Sequence, residues 1–514
     1  MNIKRPLLVL LLFTVALSAC KKQWDDRTAI ADQQLDKNLM QQIQQNSNLS
    51  TFAGYLTKIG YDKILAASKT YTVWAPDNQA LQGIDAATVA DTAKLRLFVA
   101  NHIANQTYLT SSINTSARIR TLNGKNVTFT PTTVEDASIT AANQYVANGV
   151  LHVINKPLTP KLTIWDFVKS LTTVGTLQKA YLQRQDTTFV DTSKATVSSI
   201  DPATGRPILV AGTGVVSQNK YFNRVANLAH EDSLYTYIVL TDDAYNAERN
   251  KVSRFFATVT NSTDTTMNIL SAFNVLKDVA VRGVVQPADL PAFLTSVNGV
   301  RVPINKSAIV QTYQASNGIV YVMNSVNFAL ADKIPTITIQ GEKPSFFQRT
   351  DTRGNIAFRT KVDNVGVPFS DLLVSGANLP ASYFVAYKLS NLNTCQYRVV
   401  WRAINDIAYS DPRPTVQQRL AFGPITPIVS AGTVSLPFTV TFPYTTTSSA
   451  TLPVNYSEVT LTGATGSNTN INSTGGTLTV AKYGSVNMYL QGANVSTTNL
   501  NALTLDYVKL IPIL

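Results

Sequence analysis

Two stretches of the chain carry the same pattern of apolar and polar positions. From Asn148 to Pro160, NGVLHVINKPLTP, an Asn-Gly pair precedes an alternating run in which Val150, His152 and Ile154 fall on one side and Leu151, Val153 and Asn155 on the other. That is the period of two that a strand requires. The run returns in degraded form as NGIVYVMNSVNFA, from Asn317 to Ala329. Gly adopts positive φ without strain and Asn tolerates it, so each pair reads as a tight turn that starts its strand. About 70 residues upstream of each copy lies a second matched pair, TVWAPDNQAL from Thr72 to Leu81 and TYIVLTDDAY from Thr236 to Tyr245. Agreement in spacing and order predicts two domains built alike.

Helical periodicity fills the intervals. A polar amphipathic stretch from Asp36 to Gln45 leads into Leu49, Phe52, Leu56 and Ile59 at helical spacing, and Gly60 ends that helix. Thr92, Leu95, Leu97, Phe98 and Val99 predict a second helix, running up to Asn101-His102-Ile103. After a short linker from Leu158 to Leu162, Trp165, Phe167 and Val168 open the second domain, which carries an insertion from about Asp186 to Ser233 with turn signals at Asp201-Pro202 and from Thr204 to Pro207. Beyond Pro335 the pattern changes to short alternating segments divided by Gly and Pro: Thr336 to Ile339, Tyr383 to Leu389, Tyr397 to Trp401, Val434 to Phe442, Ser457 to Leu461, Gly476 to Val480, Val486 to Leu490 and Leu503 to Leu510. About eight strands without helices predict a sandwich or jelly roll.

The first matched pair resembles the fasciclin domain. Its signature strand and helix start appear as Ala75, Pro76, Asp77, Asn78, Ala80 and Leu81, and its closing strand as Asn148, Gly149, His152, Ile154 and Asn155. The second pair keeps Thr241, Asp242, Ala244 and Tyr245, with Leu240 where Pro is usual and Tyr321 where His is usual, and so resembles a divergent fasciclin domain. The resemblance implies an α+β fold for tandem fasciclin domains, followed here by an all-β sandwich or jelly roll. The expected division is 35–160 and 161–333 for the two domains, the insertion at about 186–233 belonging to the second, and 335–514 for the sandwich. Many fasciclin domains place a Tyr-His pair, linked to integrin binding in animal relatives, where Asn101 and His102 stand. Asn101 replaces that Tyr, so the activity is not carried over.

The N-terminus adds an address. Lys4 and Arg5, an apolar core from Leu7 to Val15 and then Leu17-Ser18-Ala19-Cys20 read as an export signal over 1–19, too short to span a bilayer. Leu-Ser-Ala-Cys resembles the bacterial lipobox, with Cys20 as the lipid attachment residue because its sulfur forms the thioether. Lys21-Lys22-Gln23-Trp24-Asp25-Asp26 resembles the surface-export signals of Bacteroidetes lipoproteins, so 20–34 is expected to tether the protein to the outer membrane, facing outward. The chain's 514 residues suit about three domains, with 45% hydrophobic and only 14% charged residues. Net charge is +12, or +10 without Lys4 and Arg5, and no run of five basic residues concentrates it, which excludes a nucleic-acid stripe.

Candidate chemistry is sparse. The chain has three histidines, His102, His152 and His230, and neither HxxxH nor HExxH; His102 and His152 read as hydrogen-bonded core groups rather than metal ligands. With Cys20 committed to lipid, Cys395 has no disulfide partner and reads as a small buried residue. The AGTG of Ala211 to Gly214 lacks GxGxxG or a Gly-Lys-Ser/Thr and reads as a hairpin turn. No nucleophile triad or convergent carboxylate pair appears, and the adjacent Asp242 and Asp243 read as helix caps, so no catalytic residue, cofactor or metal is expected. Tyr383 with Tyr387, and Tyr397 with Trp401, are spaced to form stacking platforms for a sugar ring, although the interleaved valines Val385 and Val399 favour core positions. Arg398 and Arg402 then face the other way as solvated charges. Adhesion or capture of extracellular polysaccharide or matrix is the expected function, with partnership to an outer-membrane nutrient transporter as the alternative. Replacing the anchor, Cys20→Ala, is expected to abolish incorporation of labelled fatty acid and leave the precursor unprocessed; full labelling of that variant would exclude Cys20 as the acylated residue.

Overall fold

The central strand of the first domain, Gly149–Ile154, is buried at every position. Its alternation therefore does not separate core from solvent; it separates two cores. Leu151 and Val153 join Tyr71, Val73 and Ala75 in a core shared with Leu39, Phe52, Leu56, Leu95 and Phe98 of the flanking helices. On the other side Ile154 and Trp74 pack with Ile119, Val127 and Phe129. A strand covered on both faces reads as a continuous apolar run, as in a parallel sheet, and Gly149–Ile154 does pair in parallel with Tyr71–Pro76. The protein is described here by a computed structural model covering residues 35–259, 264–348, 355–375, 382–406, 416–424, 428–430, 433–435, 438–447, 454–493 and 502–514. The expected export signal over 1–19, Cys20 and the expected tether over 20–34 lie outside these residues.

The first domain's sheet has seven strands in the order Ile103–Asn105, Tyr71–Pro76, Gly149–Ile154, Ala137–Val146, Thr133–Val134, Asn126–Phe129, Ala117–Arg120. Helices Leu39–Gln45, Ser50–Lys58 and Tyr61–Ala66 precede it, and Gly60, at φ 78°, separates the last two. The expected second helix is Thr92–Ala100, with Leu95, Phe98 and Val99 buried. Leu97, although on the apolar list read from sequence, is exposed.

The turn before the central strand consists of Ala147 and Asn148, and Gly149 is already the first strand residue. Asn148 is a cross-brace. Its Oδ1 accepts from the Leu39 N–H at 2.8 Å, and its Nδ2 donates to the carbonyls of Leu65 and Ala67, both at 2.7 Å. Gly149 sits at φ 150°, where a Cβ would lie 2.0 Å from the Tyr71 carbonyl oxygen. Glycine is required there by close approach of the parallel strand. Asn317 repeats the brace: its Oδ1 accepts from the Ile164 N–H at 2.8 Å and its Nδ2 donates to the Leu228 and His230 carbonyls at 2.9 and 3.1 Å. Gly318 follows at φ 152°.

The chain divides into two compact units. One gathers the first domain up to Phe167 with Leu228–Leu234 and Gln314–Ile319; the other gathers Val168–Asn227, Tyr235–Tyr313 and Val320–Leu514. Within the first, Glu231 is held by Lys125 at 2.9 Å and by the Ser316 hydroxyl at 2.8 Å. The repeat's four-stranded sheet runs Ala280–Arg282, Tyr235–Leu240, Gly318–Met323, Ile309–Ala315. The insertion is a β arm in which Asp186–Val190 pairs with Val215–Asn219 and Val197–Ile200 with Pro207–Leu209. The AGTG segment is not the expected hairpin turn: it joins Pro207–Leu209 to Val215–Asn219, which pair with different strands, and Gly212 and Gly214 lie at φ 79° and 69°. Phe189, Val190, Val197, Ile200, Ile208 and Val215 of this arm are exposed.

The C-terminal region is rich in strands arranged in several sheets. One has the order Ile337–Gln340, Tyr507–Ile513, Gln396–Arg402, Thr477–Val480, Ile471–Thr474; the other has Phe346–Phe347, Phe384–Leu392, Gly484–Gly492, Val416–Gly423, Val440–Thr441. Inward residues of both share one core, including Tyr387, Val399, Trp401, Phe422, Leu490 and Leu510. The expected strand from Leu503 to Leu510 is two, Ala502–Leu505 and Tyr507–Ile513, because the chain leaves one sheet at Asp506 and joins another. Sequence reading missed the hairpin of Ile356–Val362 with Pro368–Ser375. Within the same unit Phe255 and Ala257 accept from the Thr394 N–H and hydroxyl at 2.8 and 3.0 Å, and Ala257 also accepts from the Tyr483 N–H at 2.7 Å. Asn148→Ala is expected to lower stability by roughly 3 kcal/mol, since it leaves a buried N–H and two carbonyls without partners. Asn148→Asp, though isosteric, should cost at least as much, because its carboxylate faces the same two carbonyls; urea unfolding of both variants checks the order.

Candidate functional site

The motif residues of the first domain are spent on structure. Pro76 ends its strand opposite Ile154, and the Asp77 N–H then donates to the Ile154 carbonyl at 3.1 Å. The Asp77 carboxylate accepts from the Ala80 N–H at 2.8 Å, and Asn78 accepts from the Thr51 N–H at 3.0 Å while donating to the Ser47 carbonyl at 2.9 Å. In the repeat, the Thr241 N–H donates to the Met323 carbonyl at 2.9 Å, and Thr241 caps its own helix. Asp242 caps a different helix from the one expected: its carboxylate accepts from the Thr176 hydroxyl at 2.6 Å and the Leu177 N–H at 2.9 Å. Gly175 precedes that helix and offers no side-chain cap of its own.

Both histidines of interest have their ring nitrogens engaged. His102 Nδ1 faces the Phe98 carbonyl at 2.8 Å and so must donate, while Nε2 accepts from the Leu158 N–H at 2.8 Å. His152 Nε2 donates to the Tyr108 carbonyl at 2.9 Å and Nδ1 accepts from the Asn143 N–H at 3.3 Å. These partners assign neutral tautomers to both rings. Burial pulls His102 down to about 4, against the Phe98 hydrogen bond, and burial likewise lowers His152. Tyr321, at the position of His152 in the repeat, donates its hydroxyl to the Val285 carbonyl at 2.7 Å. The Tyr108 and Val285 N–H groups in turn donate to Thr72 and Thr236, each at 2.8 Å. Histidine and tyrosine thus fasten corresponding loops of the two copies. Among the described residues no group of three or more His, Cys, Asp or Glu is placed to hold a metal ion.

The four aromatics named as sugar platforms are corrected by the structure. Tyr383, Tyr387, Tyr397 and Trp401 are each at most 2% exposed and belong to the shared core of the two sheets. Alternation sends Tyr397, Val399 and Trp401 inward together, so no ring face is available to a ligand. Cys395 packs against the same core, and burial raises its thiol above the usual range. Arg398 is exposed, as expected, but Arg402 is not a solvated charge. The missed hairpin folds over it.

That cover creates a polar cavity of about 600 Å³. Its floor is Arg402, whose Nη1 donates to Asp506 at 2.6 Å, Nη2 to Asp363 at 2.9 Å, and Nε to the Tyr456 carbonyl at 2.7 Å. The guanidinium also lies over Phe369, 4.8 Å from the ring centre. Glu342, Thr360, Phe369, Ser370 and Tyr507 line it as well. The Val367 N–H holds the Asp363 carboxyl below its usual range, whereas burial raises that of Asp506 despite its ion pair. Arg359 makes a second pairing beside the cavity, bidentate to Asp371 and also bonded to Asp406 at 2.8 Å. Sequence reading missed this site because its members come from five separate segments, between one and four residues from each. The only local signal was Asp506, a charge inside an apolar run. A separate aromatic group lies outside the core, where Phe384, Phe438 and Tyr489 pack edge to face and Arg419 stacks on Tyr444, which is 40% exposed.

Comparison with known proteins fits the first domain. Residues 47–160 match the fasciclin domain family. The match contains Pro76, Asp77, His102, Asn148, Gly149 and His152. Among solved structures, the FAS1 domain pair of the insect cell adhesion molecule fasciclin I aligns with 56% of this chain and all of its own, at 15% identity and a TM-score of 0.22. The C-terminal CBM6 of LamC, a marine laminarinase from Zobellia galactanivorans, aligns with 34% of this chain and 99% of its own, at 7% identity and a TM-score of 0.19. No curated protein matches the chain.

The neutral His102 of the fasciclin domain makes stability depend on pH. Between 6.5 and about 4 the unfolded chain binds a proton that the folded ring refuses, so stability is intact above 6.5 and falls as pH drops through this window. The loss is expected to reach on the order of 3 kcal/mol. Urea midpoints at descending pH should show the fall, and His102→Gln should flatten this part of the profile; a wild-type midpoint constant over the window would exclude it.

Proposed function

We propose that this chain is a cell-surface adhesion protein, anchored through Cys20 to the outer membrane in the manner of Bacteroidetes lipoproteins. Two fasciclin domains, the second of them the divergent repeat over 161–333, supply the adhesive and spacing part, and the sandwich over 335–514 captures extracellular glycan. Members of the fasciclin family are associated with cell adhesion and are not enzymes. The observation that carries the glycan reading is the open cavity of about 600 Å³ over Arg402, in which Asp363 and Asp506 neutralise the guanidinium and hydroxyl-bearing side chains stand beside apolar ones. Such a lining suits a ligand whose hydroxyls need both kinds of partner and whose ring faces are apolar.

One observation favours the second reading, partnership with an outer-membrane nutrient transporter. The β arm of the insertion exposes Phe189, Val190, Ile200 and Val215 on strands with unpaired edges, a surface that suits protein contact. Native electrophoresis of the mature protein through gels containing polysaccharide tests the first reading, with retardation by at least one glycan expected. Unretarded migration together with copurification of a transporter from membranes would replace the first reading with the second.

A further inference from the structure

We infer that the cavity over Arg402 takes an uncharged saccharide and rejects acidic ones, with Glu342 as the residue that receives the ligand's hydroxyl. This rests on the glycan reading above and adds the site and the class of sugar. The ion pairs come first. Arg402 is the cation at the floor, and it is shared between Asp363 and Asp506. A uronate or sulfate entering the cavity would compete with two carboxylates for one guanidinium, and it would approach Glu342 as well. Lys343 is the remaining cation of the lining, and it is exposed at the rim, where water screens it.

Glu342 supplies the independent observation. Its Oε2 is buried and has no hydrogen-bond partner among the described residues. A carboxylate oxygen removed from water without a donor is costly, and a native protein keeps one where something else supplies the donor. The backbone beside it is held firmly. The Gly341 N–H donates to the Asp506 carbonyl at 2.6 Å, the Tyr387 hydroxyl donates to the Gly341 carbonyl at 2.8 Å, and a Cβ on Gly341 would lie 1.9 Å from the Leu505 carbonyl oxygen. Glu342 therefore cannot swing away by shifting its backbone. Rotation of the carboxylate about its Cγ–Cδ bond turns the orphan oxygen toward the cavity that Glu342 lines, where a neutral sugar hydroxyl satisfies it as a donor. The same ring can accept from the Thr360 or Ser370 hydroxyl and lay an apolar face on Val367 and Phe369, which also line the cavity.

Affinity electrophoresis of the mature protein in gels containing galactomannan or mixed-linkage β-glucan, against polygalacturonate, tests this. Retardation is expected in a neutral gel and not in polygalacturonate. Glu342→Gln and the cavity-filling Ser370→Trp are each expected to weaken retardation about tenfold or more, the loss of one charge-assisted hydrogen bond. Glu342→Gln should melt at or above the wild-type temperature, because the amide replaces a carboxylate whose Oε2 is buried without a donor; a structural role alone would lower it. Retardation by polygalacturonate overturns the assigned sugar class. Wild-type retardation of both variants, with Tyr444→Ala abolishing it, moves the glycan site to the outer aromatic group and leaves the glycan reading standing. Failure of every polysaccharide to retard the wild type overturns the glycan reading itself.

Discussion

One side-chain amide holds the first domain together. Asn148 reaches from the turn before the central strand to the start of helix Leu39–Gln45 and to the end of helix Tyr61–Ala66, and it satisfies one N–H and two carbonyls. Helix ends leave such backbone groups without partners, and burying them unpaired is costly. Asparagine is suited because it presents an acceptor and two donors on one rigid plane, which neither aspartate nor leucine of similar size can do. Gly149 must follow, since the parallel strand passes too close for a side chain. The Asn-Gly pair is thus a brace and a gap, and only secondarily a turn.

The repeat shows which parts of this scheme depend on a hydrogen bond and which on a particular residue. Asn317 and Gly318 are retained, with the brace bonded to Ile164, Leu228 and His230. Elsewhere the donor survives while the residue changes: His152 becomes Tyr321, and each donates to the carbonyl of the loop residue fastened by Thr72 or Thr236. Asn78 becomes Asp242, and each accepts from the first turn of a neighbouring helix. A tyrosine in the place of a metal-binding histidine would end the binding, whereas here the exchange preserves the contact. This is the physical ground for reading His152 as a fastener; for His102 it is the pair of hydrogen bonds with Phe98 and Leu158.

In the C-terminal region the same economy of charge works differently. Arg402 lies at the end of a strand whose inward residues are all core, and its outward position becomes interior only because Ile356–Val362 and Pro368–Ser375 fold across it. Buried ion pairs stabilise little in total, since desolvation offsets most of the attraction, but each partner is costly to remove. Arg402 between two aspartates is therefore a constraint on where the hairpin sits, and the cavity is a result of that constraint. Glu342 stands beside this arrangement without sharing in it, and its Oε2 has no hydrogen-bond partner among the described residues.

The sequence by itself determined the repeat, the fasciclin character of 47–160 and the β-rich end of the chain, because each is written in neighbouring residues: a turn, a period, a motif of fixed spacing. It also held the correct warning that valines between Tyr383 and Tyr387, and between Tyr397 and Trp401, favour the core, since alternation places aromatics and valines on one face. Tertiary structure alone decided that the central strands are buried on both faces, that Asp242 caps the helix starting at Thr176, and that Arg402 is enclosed. Each of these depends on a partner far away in the chain, and a one-dimensional period records how a residue points but not what arrives to meet it. The hairpin over Arg402 went unread for that reason: its strand Ile356–Val362 alternates charged and apolar residues that are mostly exposed, and only its packing over Arg402 gives the charges of Arg359 and Asp363 a role.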